Sequence, residues 1–231
     1  MTIERMILNL LGWKVVDEWP AIRRSIVVFA PHTSYWDAVI GKLVLRSFGV
    51  RHRLLSKKEL FRFPMGIVMR MTEAIPIRDV KGQNAIWHIS HLLGEADELH
   101  FVICPEGGFA PTERWDAGFY YMAYKAQVPV IAVYLDYRRK EAGVAGVIGD
   151  LDSLNEVYRQ LAEMYQGVTA RYPERFLLPK YKSGHEANTS KTHELKDSRT
   201  QKLKNSRTQE LKNSKTQKLK NEQERTPGRS H

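Results

Sequence analysis

Two short segments of the 231-residue chain hold residue types at spacings that could do chemistry. The first is APHTSYWDAV (30–39), in which His32 follows an apolar run and Asp37 comes five residues later. A histidine near neutral pKa can take the proton from an attacking hydroxyl. A carboxylate beside it can fix its tautomer and stabilise its cation. A strand-to-helix turn brings such a pair together better than a straight helix would. The plainer reading of the same residues is helix capping, with Thr33 or Ser34 as N-cap. The second segment is ICPEGGFAPT (103–112). Gly107 and Gly108 would let backbone approach a ligand closely. Glu106 would bind a substrate hydroxyl or anchor the loop. The plainer reading here is a tight turn with Glu106 on the surface.

Elements of two kinds must position these segments. Apolar β-branched runs at 25–31, 99–105 and 128–137 read as buried strands, with shorter ones at HRLLS (52–56), 74–77 and 142–148. Helical periodicity covers 1–16, 36–49, 58–71, 83–94, 114–127 and 153–171. Strands alternating with helices predict an α/β fold, a mixed and largely parallel sheet covered by helices on both faces. The expected domain is 1–178. Its first 16 residues form an amphipathic helix that packs on the body or lies in a membrane interface. No run reaches the ~20 apolar residues of a membrane-spanning helix. No signal peptide is read at the start, and the single cysteine, Cys104, fits a reducing compartment.

Composition separates the body from the tail. Residues 182–231 hold 13 Lys+Arg and 6 Asp+Glu, which is +7 of the net +10. An eight-residue unit recurs there as ELKDSRTQ, KLKNSRTQ, ELKNSKTQ and KLKNEQER. Its leucines drift ~80° per repeat around a helix, and it lacks the apolar content to offset ordering entropy. A disordered basic tail is expected.

Other candidates are poorer. His88 and His91 lie three apart on a helix with no third ligand, so no metal site is expected. Cys104, at a strand end, reads as a buried thiol rather than a nucleophile. Trp115, Phe119, Tyr120, Tyr121 and Tyr124 read as core or the wall of an apolar groove rather than a base-stacking platform. No phosphate loop or dinucleotide fingerprint occurs.

Taken together, PHTSYWD, then EAIPIRD (73–79), CPEGG and VPVIAVYLD resemble in order and spacing the four blocks of the glycerolipid acyltransferases. That family includes the lysophosphatidic acid and glycerol-3-phosphate acyltransferases. The resemblance covers about residues 20–176. It implies His32 and Asp37 as catalytic residues, and Glu106, Gly107, Gly108 and Arg78 at the acceptor site. It implies acyl-CoA or acyl-carrier protein as donor and no bound cofactor. The implied acceptor is a lipid hydroxyl, most often 1-acylglycerol-3-phosphate. The implied location is the cytoplasmic face of a membrane, peripherally held, with no nucleic-acid partner. Two departures matter, and the first is that the second block ends Arg78-Asp79, the reverse of the family's acidic-then-Arg order. The family's E-G-T-R reads Glu106-Gly107-Gly108-Phe109, without the phosphate-binding arginine. Arg78, Arg114 or Lys125 would then meet the phosphate, or the acceptor would be another alcohol. The competing readings are a non-catalytic protein that binds an anionic surface or nucleic acid, and an inactive scaffold.

Overall fold

The structure, a computed structural model, describes residues 2–16, 18–57, 75–77 and 83–182. The helix expected over 58–71, Arg78 and the tail from 183 onward lie outside the described residues. Along the chain run α1 (Ile3–Leu10), β1 (Lys14–Val15), β2 (Arg24–Ala30), α2 (Tyr35–Ser47), β3 (His52–Lys57) and β4 (Ile75–Ile77). There follow α3 (Gln83–Glu95), β5 (Leu99–Ile103), α4 (Gly118–Ala126), β6 (Val130–Asp136), β7 (Glu141–Ile148) and α5 (Leu154–Met164).

Among the described residues, seven strands form one sheet in the order β1-β7-β6-β2-β5-β3-β4. Every pairing is parallel except the β6–β7 hairpin. The centre is β2, between β5 and β6, and all three are near-continuous apolar runs because both of their faces are covered. Side chains alternate across β2. Ile26, Val28 and Ala30 enter one core with Leu93 of α3, Phe119 of α4 and Leu161 of α5. Val27 and Phe29 enter the other, with Leu8 of α1 and Val44 of α2. The sheet is thus mixed, largely parallel and covered on both faces, as the alternation predicted. α2 lies close on β2 because Gly41 has no side chain. A Cβ there would stand 2.5 Å from the Phe29 ring.

Three helices are shorter than their periodicity suggests. The first stops at Leu10, since Gly12 takes φ +79° and turns the chain toward β1, with Trp13 buried just before that strand. α4 begins at Gly118 rather than at 114. Trp115 is pinned by its Nε1–H to the Leu177 carbonyl at 3.1 Å, and Asp116 accepts the Gly118 amide at 2.6 Å. α5 ends at Met164, and Gly167 at φ +79° sends the chain back across the sheet edge. There Thr169 accepts the Tyr137 amide at 2.8 Å. The aromatics in and just before α4 divide. Trp115, Phe119 and Tyr120 are core, while Tyr121 and Tyr124 are exposed.

Candidate active site

In a parallel sheet the loops at the carboxyl ends of adjacent strands share one edge, where α/β proteins place their ligands. Three such loops meet around β2. The loop after β2 carries His32 and Asp37, the loop after β5 carries Glu106, and the turn after β6 carries Tyr137.

The first loop is built by Asp37. Its side chain is fully buried. Oδ2 accepts the amides of Thr33 and Ser34, each at 2.7 Å, and Oδ1 accepts the Ser34 hydroxyl at 2.9 Å. Oδ1 also accepts the hydroxyl of Tyr137. Ser34 is the N-cap of α2, and Asp37, at N3, completes a capping box. The capping reading of the sequence therefore describes part of what Asp37 does. Around it stand donors only, an arrangement that suits an acceptor-only carboxylate.

His32 is half-buried beside this carboxylate. Its Nδ1 is buried and has no hydrogen-bond partner. Burial lowers its pKa, and the nearby Asp37 charge opposes that shift without reversing it. The imidazole is thus held neutral, in the form that can accept a proton. Sequence and fold bring His32 and Asp37 into electrostatic contact, but the lone pairs of Asp37 serve the turn and Tyr137.

The loop after β5 supports His32 from the other side. Gly107, at φ +71°, closes a turn whose amide reaches the Cys104 carbonyl at 3.1 Å. Glu106 folds inward, and its Oε2 accepts the His32 backbone amide at 2.8 Å. Half-buried rather than fully exposed, it ties the two loops together, which is the anchoring role the sequence offered. Burial pushes its carboxyl up to about 8; the His32 amide pulls it down, and Asp37 adds repulsion. Gly107 and Gly108 are exposed at the tip. Phe109, in the position of the family's arginine, packs on the His32 ring with centroids 5.0 Å apart. It also meets the edge of Tyr35 at 4.7 Å. Burial raises the Cys104 thiol well above its ordinary value, so it is a poor nucleophile.

Sequence reasoning missed Tyr137 and the segment that backs it. Tyr172 donates its amide to Thr33 Oγ1 at 3.3 Å. The Arg171 guanidinium lies 5.9 Å from the Tyr137 ring centroid and 5.8 Å from that of Trp36. Nothing local announces these partnerships, since Tyr137 and Asp37 are 100 residues apart. The only available signal was that Tyr137 directly follows the strand that neighbours β2. Among the described residues no group of three or more His, Cys, Asp or Glu side chains could hold a metal ion. His91 instead meets Glu95 at 3.1 Å on the outer face of α3.

A neutral histidine and a buried carboxylate, on the carboxyl edge of a mainly parallel sheet, make a site suited to proton abstraction from a hydroxyl. The sequence matches the Acyltransferase family over residues 14–136, more than half of the chain. The protein belongs to this family, whose general role is the transfer of an acyl group from a donor to an acceptor. No curated protein and no solved structure matches the chain.

Proposed function

We propose that the protein transfers a fatty acyl group from acyl-CoA or acyl-carrier protein to a lipid hydroxyl, either 1-acylglycerol-3-phosphate or a related lysolipid. The observation that carries this reading is the meeting of a neutral His32 with Asp37 and Glu106 at the ends of β2 and β5. With Nδ1 on the buried side, Nε2 is left to the acceptor. It takes the hydroxyl proton as the oxygen attacks the thioester carbonyl. A C–O bond forms, the C–S bond breaks, and the proton passes to the departing thiolate. Such a base contributes roughly 10²–10⁴-fold in rate, and positioning supplies the remainder.

The reaction takes place at a membrane surface, on the cytoplasmic side. α1 supports this. Leu8 is buried against the body, yet Ile3, Met6, Ile7, Leu10 and Leu11 face outward, with Leu10 88 % exposed. Trp36 and Val39 of α2 are exposed as well, on the helix that α1 packs against and that begins at the site. An exposed apolar face on α1 and an exposed tryptophan at the start of α2 suit the headgroup boundary of a bilayer. No helix of the described residues is long and apolar enough to cross one.

The test is acyl transfer by wild type and His32→Ala, offered labelled acyl-CoA and acyl-carrier protein with a panel of lysolipids. Transfer by wild type that falls at least 100-fold in His32→Ala is the expected result, consistent with a general base. Undiminished transfer in the variant removes His32 from the mechanism. The preferred acceptor then shows whether Phe109 has displaced a phosphate-binding role.

A further inference from the structure

The geometry points to Tyr137 as a positioning residue that acts on His32 through Asp37, by occupying Oδ1 and drawing off part of the carboxylate's charge. This rests on the reading of His32 as the base. It adds to that reading a residue one position beyond the stretch matched to the family, which ends at Asp136.

The reasoning begins with lone pairs. A carboxylate offers about four acceptor sites. At Asp37 all are engaged, by Thr33 N, Ser34 N, Ser34 Oγ and Tyr137 Oη. Three of these donors belong to the capping turn itself, so they come with the local fold. Tyr137 alone arrives from elsewhere. It takes a position on Oδ1 while the buried Nδ1 of His32 stays unpartnered. Its hydroxyl therefore decides how much of the Asp37 charge remains to be felt by the imidazole.

Tyr137 is itself held in place. Its ring meets Trp13 edge-on at 4.9 Å, and its backbone amide is bonded to Thr169 at 2.8 Å. Burial and the neighbouring carboxylate keep the phenol above its ordinary pKa, so it remains a donor at every working pH. The other groups facing this cluster are few. Arg171 hydrogen-bonds the Tyr137 hydroxyl, and its guanidinium and the Lys140 ammonium lie 5.9 and 5.6 Å from the ring centroid. Ser34 touches its hydroxyl, and Tyr172 flanks Arg171. Glu106, Cys104 and Tyr165 stand on the β5 side, where Glu106 and Cys104 feel one another and Asp37. Glu106 is largely protonated below about 8, so it does not replace Asp37 as the charge felt by His32.

Removing the hydroxyl, as in Tyr137→Phe, leaves the ring against Trp13 and unmasks the carboxylate. The His32 pKa then rises, because a stronger negative field favours the imidazolium. The rise is a fraction of the ~1–3 units that a full opposite charge contributes. The experiment is a titration of His32 by NMR in the full chain with ¹³C-labelled histidine, in wild type and Tyr137→Phe. His32→Gln serves to assign the resonance. A midpoint at higher pH in Tyr137→Phe, with the other histidine midpoints unmoved, is the expected result. An unmoved or lowered His32 midpoint in a folded variant overturns the proposal. Should Tyr137→Phe fail to fold, the same titration with 3-fluorotyrosine in place of tyrosine strengthens the donor. It should lower the midpoint, and no change there overturns the proposal equally. Because the readout is His32 itself, it stands apart from the transfer assay. A shifted midpoint alongside full activity of His32→Ala would sink the functional reading and leave the coupling intact.

Discussion

His32 and His100 stand at opposite ends of the same central strands, and burial pushes both below the ordinary histidine pKa, His100 to about 4. Each has a buried ring nitrogen without a partner, Nδ1 of His32 and Nε2 of His100. By those signs alone either could be a site. The difference lies in what surrounds them. His100 is fully buried, its Nδ1 lies 2.8 Å from the hydroxyl of Ser25, and Trp19 meets its ring edge-on at 5.0 Å. His32 is half-buried, with Asp37 and Glu106 brought to it by separate loops. A buried neutral histidine becomes a base only where a substrate can reach it and a carboxylate can stabilise the cation it forms. Among the described residues, the two come together at the carboxyl edge of the sheet.

That contrast would break most visibly at the carboxylate. Asp37→Asn is expected to lower transfer by at least 100-fold, while His100→Leu leaves it within about twofold, both at saturating substrate. Equal losses would mean that the two ends are coupled through stability rather than separated by chemistry. The asparagine variant also loses stability, since an amide nitrogen cannot accept the donors now aimed at Asp37. An unsatisfied buried donor costs about 1–3 kcal/mol, readable in urea unfolding.

Glu106 sharpens the comparison through pH. Its folded pKa, about 8, lies above its unfolded value, so between roughly pH 4.5 and 8 the folded state holds a proton that the unfolded state has released. Stability must therefore fall as pH rises through that window. Glu106→Gln should flatten the decline, measured as the unfolding midpoint from pH 5 to 8. An unchanged slope would mean that the carboxyl is not held protonated beside His32.

The smallest effect belongs to His100. Its folded pKa lies below the unfolded value, so the unfolded state binds the proton first and stability falls as pH drops from about 6.5 to 4. His100→Leu should make that acid decline shallower with transfer activity unaffected. An unchanged decline would show that other groups carry it.

The same two ends show how much of the molecule could be read in advance. β2, β5 and β6 were plain, because strands covered on both faces must be apolar throughout. His32 and Asp37 were plain because their relationship is local, a loop and the first turn of a helix. The overrun helices were legible in part. Gly12 and Gly167 mark where α1 and α5 end, and helical periodicity continued past both. The inward turn of Glu106 was not legible, since its partner is the His32 amide, 74 residues away. Tyr137 is the extreme case. A tyrosine after a buried strand has no distinguishing mark until the register of β6 on β2, Ala30 opposite Tyr134, sets it beside the loop. Phe109 was visible as a departure from a motif, but its packing on the His32 ring was not.

β1 is hydrogen-bonded to β7, so Lys14 must wait for Glu141. Their separation is 141 − 14 = 127 residues. At a translation rate of about 5–20 residues per second, that interval is roughly 6–25 s. Throughout it, the nascent chain presents Trp13 and the outward apolar residues of α1 with the sheet edge still unmade. The ribosome therefore releases the exposed apolar residues of α1 before the body that will carry them, and whatever first meets that helix does so while the sheet is still unfinished.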